Sequence, residues 1–124
     1  MKYSECEVYV GPVILFKNVK IANTFIKRLV GLLKTESLAS HGGMLISPCN
    51  KIHTLGMQYP IDVLFLSSDG EIIDIISSMQ AGKVSPMIKG ADHVLELSPG
   101  AAASRGLKKG DYLTIPAVKI GTKH

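Results

Sequence analysis

A chain of 124 residues that is 46% apolar and 19% charged has the composition of a globular protein and not of a disordered or fibrous one. At that length folding buries about two thirds of the unfolded chain's surface, so one domain over residues 1–124 with one core is expected. Lys and Arg exceed Asp and Glu by 14 to 10, but the lysines are scattered from Lys2 to Lys123, with two arginines and no Trp. The basic stripe and aromatic platforms of a nucleic-acid binder are missing, and nucleic acid is not an expected partner.

The first residues, Met1-Lys2-Tyr3-Ser4-Glu5-Cys6-Glu7, place carboxylates where a signal peptide needs a basic start and an apolar run. Apolar stretches such as Val63 to Leu66 fall far short of the ~20 residues that cross a bilayer. The expectation is a cytoplasmic protein with no membrane partner. Cys6 and Cys49 are read as free thiols, because that compartment keeps cysteines reduced.

In chain order, Gly11-Pro12 breaks Glu7 to Ala22 into a short strand and a second strand near Val13 to Ala22. From Thr24, or Asn23, as N-cap the period changes: Phe25, Leu29 and Leu32, with Ile26, Val30 and Leu33 beside them, predict an amphipathic helix. Gly31 inside it suggests another element packed close to its backbone. Met44 to Ile46 and Lys51 to Leu55 read as short strands around the turn Ser47-Pro48-Cys49-Asn50.

Ile61 to Leu66 is the strongest strand, with Ile61, Val63 and Phe65 on one face and Leu64 and Leu66 on the other, so it belongs inside the sheet. Ser67-Ser68-Asp69-Gly70 is a tight hairpin turn returning through Glu71 to Ile76. Gln80 to Gly90 reads as a surface loop and a candidate lid over the sheet. Val94 to Leu97 is a strand, Pro99 to Ser104 a short helix stopped by Gly106, and Asp111 to Ile115 a last strand. The fold class is α+β: a mixed, mostly antiparallel, partly closed sheet or half-barrel, with one main helix packed on it and a short second helix.

The order of motifs is distinctive. Arg28-Leu29-Val30-Gly31-Leu32-Leu33 is followed by Gly43-Met44-Leu45-Ile46, then by Pro48-Cys49-Asn50-Lys51-Ile52-His53-Thr54-Leu55-Gly56-Met57, then by Pro60-Ile61-Asp62-Val63-Leu64-Phe65-Leu66. With Val94-Leu95-Glu96-Leu97-Ser98-Pro99-Gly100 and Gly110-Asp111, the chain resembles the domain of unknown function 192 family from about Ala22 to Ile115, in its subset with Cys and His before Gly-Met. Gln58-Tyr59 departs from that pattern, where a basic residue and Phe are common. The resemblance implies a compact mixed α/β fold with a partly closed sheet, mainly in bacteria and archaea, and no known reaction.

Cys49 and His53 could serve as metal ligands, or as nucleophile and base, if a turn at Asn50 brings them together. On an extended strand four residues span about 13 Å, which is too far to share a metal or proton. Their bland alternative is a buried thiol and a hydrogen-bonded core imidazole. No second Cys or His pair at metal spacing exists, with Asp62, His93 and Glu96 as distant candidates, so neither metal nor other cofactor is expected.

Asp62 opens the most buried strand and needs a partner, either Arg28, His53 or backbone N–H groups. Glu96 is an exposed residue on an edge strand or a paired one, and Met57 and Tyr59 sit in a turn as core plugs or pocket lining. Asp111 belongs to a turn and carries no chemistry. The functional expectation is a binding module for a small ligand or a protein, with Arg28, Cys49, His53, Thr54, Met57, Asp62 and Glu96 as candidate ligand-binding residues and a groove near Cys49, His53 and Asp62. The alternative is a thiol- or metal-dependent enzyme using Cys49 and His53, oriented by Asp62 or Arg28.

Overall fold

The structure is a computed structural model that describes residues 3–24 and 42–121. The helix expected from Thr24 through Leu33, with Arg28 and Gly31, lies outside the described residues. Among the described residues six strands form one sheet: β1 (Ser4–Val10), β2 (Val13–Ala22), β3 (Met44–Ile46), β4 (Ile61–Leu66), β5 (Ile72–Met79) and β6 (His93–Leu97), in the order β1-β2-β3-β6-β4-β5. Neighbours are antiparallel except β2 and β3, which run parallel with Ile21 opposite Leu45. A single-turn helix, Ala101–Ser104, and a 3-10 turn, Pro116–Val118, follow β6.

The expected mixed, mostly antiparallel sheet is present, and β4 lies inside it between β6 and β5. The half-barrel expectation needs correction, because the sheet is open: β1 and β5 are its edges and do not pair. Residues 110–115 link them at one end through isolated bridges, Tyr112 to Glu71 and Thr114 to Tyr9. Leu113 N–H donates to the Gly70 carbonyl, and Tyr9 and Thr114 exchange both backbone bonds at 2.8 Å. The strand expected from Asp111 to Ile115 does not form because the segment changes partner within three residues. Asp111 holds the turn before it, accepting the Lys108 N–H at 3.0 Å.

The pattern of β4 explains the two-layered core. Ile61, Val63 and Phe65 join Met44, Ile52, Met57, Met79 and Val94 on one face of the sheet. Leu64 and Leu66 join Phe16, Leu45, Leu95, Leu97, Leu113 and Ile115 on the other. A strand with neighbours on both sides and cover on both faces must be apolar at every position, apart from polar groups with their own partners.

The hairpin after β4 differs in detail from the expectation. Gly70 has φ +88°, but Asp69 does not share the positive φ, and Ser67 N–H pairs with the Glu71 carbonyl. The loop is thus longer than a two-residue turn, and β5 starts at Ile72. On β5 the register slips by one residue opposite Asp62, and Ser78 there has φ +48°. This is a β-bulge that turns one N–H out of the ladder.

Candidate functional site

The segment after β3 begins with a cis Ser47–Pro48 peptide bond and continues through Cys49 to Met57 without a regular ladder. The strand expected over Lys51 to Leu55 is reduced to one antiparallel bridge, His53 to Val84. Side chains take the other ladder positions. Ile52 N–H donates to Ser85 Oγ at 2.9 Å, and Thr54 Oγ1 donates to the Gln80 carbonyl at 2.6 Å while accepting the Lys83 N–H at 2.9 Å.

Backbone bonds complete the clamp: Thr54 N–H to Lys83, Ser85 N–H to Ile52, Gly82 N–H to Thr54 and Ile88 N–H to Asn50. The stretch Gln80 to Gly90, expected as a candidate lid, is therefore a strap tied along residues 50–54. Thr54 is wholly buried and is its main fastener. Thr54→Val is expected to lower stability by about 1 kcal/mol and to speed amide exchange at Gly82 and Lys83, measured by urea unfolding and hydrogen exchange.

The candidate residues separate by face. Cys49, half-buried, packs with Met57 and Ile52 against the cluster that holds Met44 and Val63. Glu96 is fully buried and stands directly between Met44 and Val63, on the same face. Of its two expected settings, exposed on an edge strand or paired, the first is overturned, because β6 lies between β3 and β4. Asp62 is on the opposite face: Oδ1 accepts the N–H of Ser78 in the β5 bulge at 2.9 Å, and Oδ2 accepts the N–H of Ala102 in the single-turn helix at 3.0 Å. Its partners are backbone N–H groups, one of the three kinds anticipated.

Around Cys49 the polar atoms are engaged locally. Cys49 Sγ donates to the Lys51 carbonyl at 3.1 Å, and Cys49 N–H bonds the Asp92 carbonyl. His53 Nδ1 accepts the Leu55 N–H at 3.2 Å, which leaves Nε2 to carry the proton of the neutral ring. Among the described residues, no three His, Cys, Asp or Glu side chains gather as a metal ion would require. Cys6 is buried in the other core, where desolvation first and then Glu5 push its thiol up to about 11.

Sequence reasoning placed His93 only among distant metal candidates and missed its contact with Ser47. Ser47 Oγ lies 2.6 Å from His93 Nδ1, which ties the start of this segment to β6. Burial lowers the His93 pKa below its ordinary value, and Asp92 opposes the shift. The unfolded chain therefore takes up the proton first as pH falls. This contribution to stability is complete above about pH 6.5 and is lost as pH drops through the lower folded value. The Tm of the protein should fall on acidification across that window, and less steeply in His93→Asn.

A second missed feature is the exposure of large apolar side chains along the clamped pair: Leu55 is 50% exposed, Val84 57% and Met87 67%. Aperiodic sequence around Gly82, Pro86 and Gly90 gave no signal that this stretch is held in place.

The DUF192 family model, described as an uncharacterized ACR, matches residues 12–115. The chain belongs to the DUF192 family. The match begins earlier than the motifs from Ala22 and takes in β2. The chain is 27% identical over 101 residues to the UPF0127 protein TK1120 of Thermococcus kodakarensis, a match covering 77% of this chain and 63% of that relative's length.

Two crystal structures share the fold. A protein of Sinorhizobium meliloti, described as a proposed transcription regulator, superposes with a TM-score of 0.77 at 23% identity, covering 94% of this chain and 97% of that one. A protein of unknown function from Novosphingobium aromaticivorans superposes with a TM-score of 0.73 at 22% identity, covering 90% and 84%. Among the described residues of this chain, no helix is long and apolar enough to cross a membrane.

Proposed function

We propose that this DUF192 chain is a binding module for a small ligand or another protein, and that its recognition surface is formed by residues 49–57 and the strap 80–91. The observation that carries the reading is the exposure of Leu55, Val84 and Met87 on two segments that backbone and side-chain bonds hold rigid. Apolar side chains kept in water on a fixed frame are what a preorganised binding surface needs, since little ordering entropy is lost when a partner arrives. Cys49 and His53 add polar groups within the same segment, Thr54 fastens it from beneath, and Met57 supplies apolar backing. Asp62 serves the scaffold from the other face.

The thiol-enzyme alternative draws on the same Cys49 and His53. Against it, Cys49 donates as a thiol and His53 Nδ1 already accepts a backbone N–H. A different apolar set, Val10, Val13 and Tyr112, is exposed beside the β1–β2 hairpin and is the rival surface.

Amide correlation spectra of the labelled protein, titrated with a library of small neutral apolar fragments, test the reading. Shifts should concentrate at Cys49 to Met57 and Lys83 to Ala91 and should vanish in the Val84→Ser, Met87→Ser double variant. Shifts centred on Val10, Val13 and Tyr112, or none at all, would overturn it.

A further inference from the structure

Resting on the binding reading above, we infer that the partner at this surface is an extended protein segment that alternates carboxylates with apolar side chains. Residues 50–57 and 80–91 contain Lys51, Lys83 and Lys89 and no Asp or Glu, whereas the chain as a whole carries ten acidic residues. All three lysines are exposed, as are Leu55, Val84 and Met87 between them. The first carboxylate beyond the strap is Asp92. A surface that combines uncovered apolar groups with cations of one sign favours a partner carrying apolar groups and anions, and repels a basic one.

The shape of the surface argues for an elongated partner. From Thr54 beside Gly82 to Asn50 beside Ile88, the paired segments run four residue steps, roughly 13 Å at ~3.3 Å per residue. A compact metabolite would cover only part of that line, whereas about five residues of extended peptide would match it. At the Asn50 end a depression lined by Pro48, Cys49, Asn50, Ala91 and Asp92 offers a seat for one uncharged side chain, since Asp92 would repel a carboxylate there. A lysine stem can cover apolar surface while its ammonium group stays in water, so the exposed Lys51, Lys83 and Lys89 suit carboxylates at the rim and leave Val84 and Met87 to be buried at the apolar centre.

The test is selection from a randomised short-peptide display library on the full chain, with the Lys51→Glu, Lys83→Glu, Lys89→Glu variant as comparison. Vesicles of phosphatidylcholine with and without phosphatidylserine form a second arm. Enriched peptides should combine Asp or Glu with large apolar residues. They should bind the triple variant about tenfold or more weakly, and lose affinity as salt is raised. Val84→Ser with Met87→Ser should weaken them as well.

Enrichment of basic or purely polar peptides, equal recovery on the triple variant, or binding to anionic vesicles without peptide enrichment would each overturn the inference. The fragment titration separates the two failures. Fragment shifts at the strap without acidic peptides leave the binding surface standing and remove only this partner.

Discussion

Asp62→Ala is expected to cost the fold about 3–5 kcal/mol, read as a lower urea midpoint. The side chain is 1% exposed and its two oxygens accept the N–H groups of Ser78 and Ala102. Truncation leaves the buried N–H of Ala102 and the part-buried N–H of Ser78 without their acceptor, and hydrogen bonds to a charged group are worth about 1.5–3 kcal/mol each. Asp62→Asn retains one acceptor oxygen and should lose about half as much. A loss under about 1 kcal/mol in Asp62→Ala would show that water or a rearranged bulge replaces the carboxylate.

Gly70→Ala should be comparably damaging, at about 3 kcal/mol, for a different reason. Gly70 has φ +88°, a conformation that costs an L-residue about 1–2 kcal/mol. A methyl group there would also run into the Leu113 carbonyl, with Ile120 Cγ2 at 3.2 Å behind it. Neither neighbour is a flexible chain end that can swing aside, because Leu113 N–H is itself bonded to Gly70. The strain therefore falls on the one segment that links the β5 and β1 edges of the open sheet. The expected signature is lower thermal stability together with faster amide exchange at Leu113 and Thr114. A variant as stable as the parent would mean that residues 110–115 contribute little to holding the edges.

The strands were legible where periodicity was strong. Val13 to Ala22, Met44 to Ile46, Ile61 to Leu66 and the strand through Val94 to Leu97 could be read because β-branched and apolar residues alternate or run continuously between turn residues. Two kinds of feature were not legible. Segments whose hydrogen bonds go to side chains or to changing partners, residues 50–57 and 110–115, carry β-like composition without forming strands. The position of a strand in the sheet order was also hidden, so Glu96 read as an edge residue while β6 in fact sits centrally and buries it.

The candidate site was legible as a list and not as an arrangement. Asp62 and Met57 are five residues apart, yet the pleat sends Asp62 toward Leu64 and Ala102 while Met57 packs beside Ile52. The period-two pattern of Ile61 to Leu66 already puts Asp62 on the face of Leu64 and Leu66, and the structure keeps it there. The strap could not have been detected this way, because the Thr54 and Ser85 side-chain bonds that fasten it span 26 to 33 residues of sequence. The likeness to the two crystal structures carries the fold and leaves function to the residues of this site.

On the proposed reading Cys49 and His53 belong to a binding surface and do not react as a pair. Alkylation of Cys49 by iodoacetamide across pH, in the protein and in His53→Ala, tests it directly, with Cys6 remaining inert in its core. The expected rate shows no reactive phase near pH 6 and is the same in both proteins. A thiol that reacts near pH 6 and loses that reactivity with His53→Ala would contradict it and establish an activated thiolate.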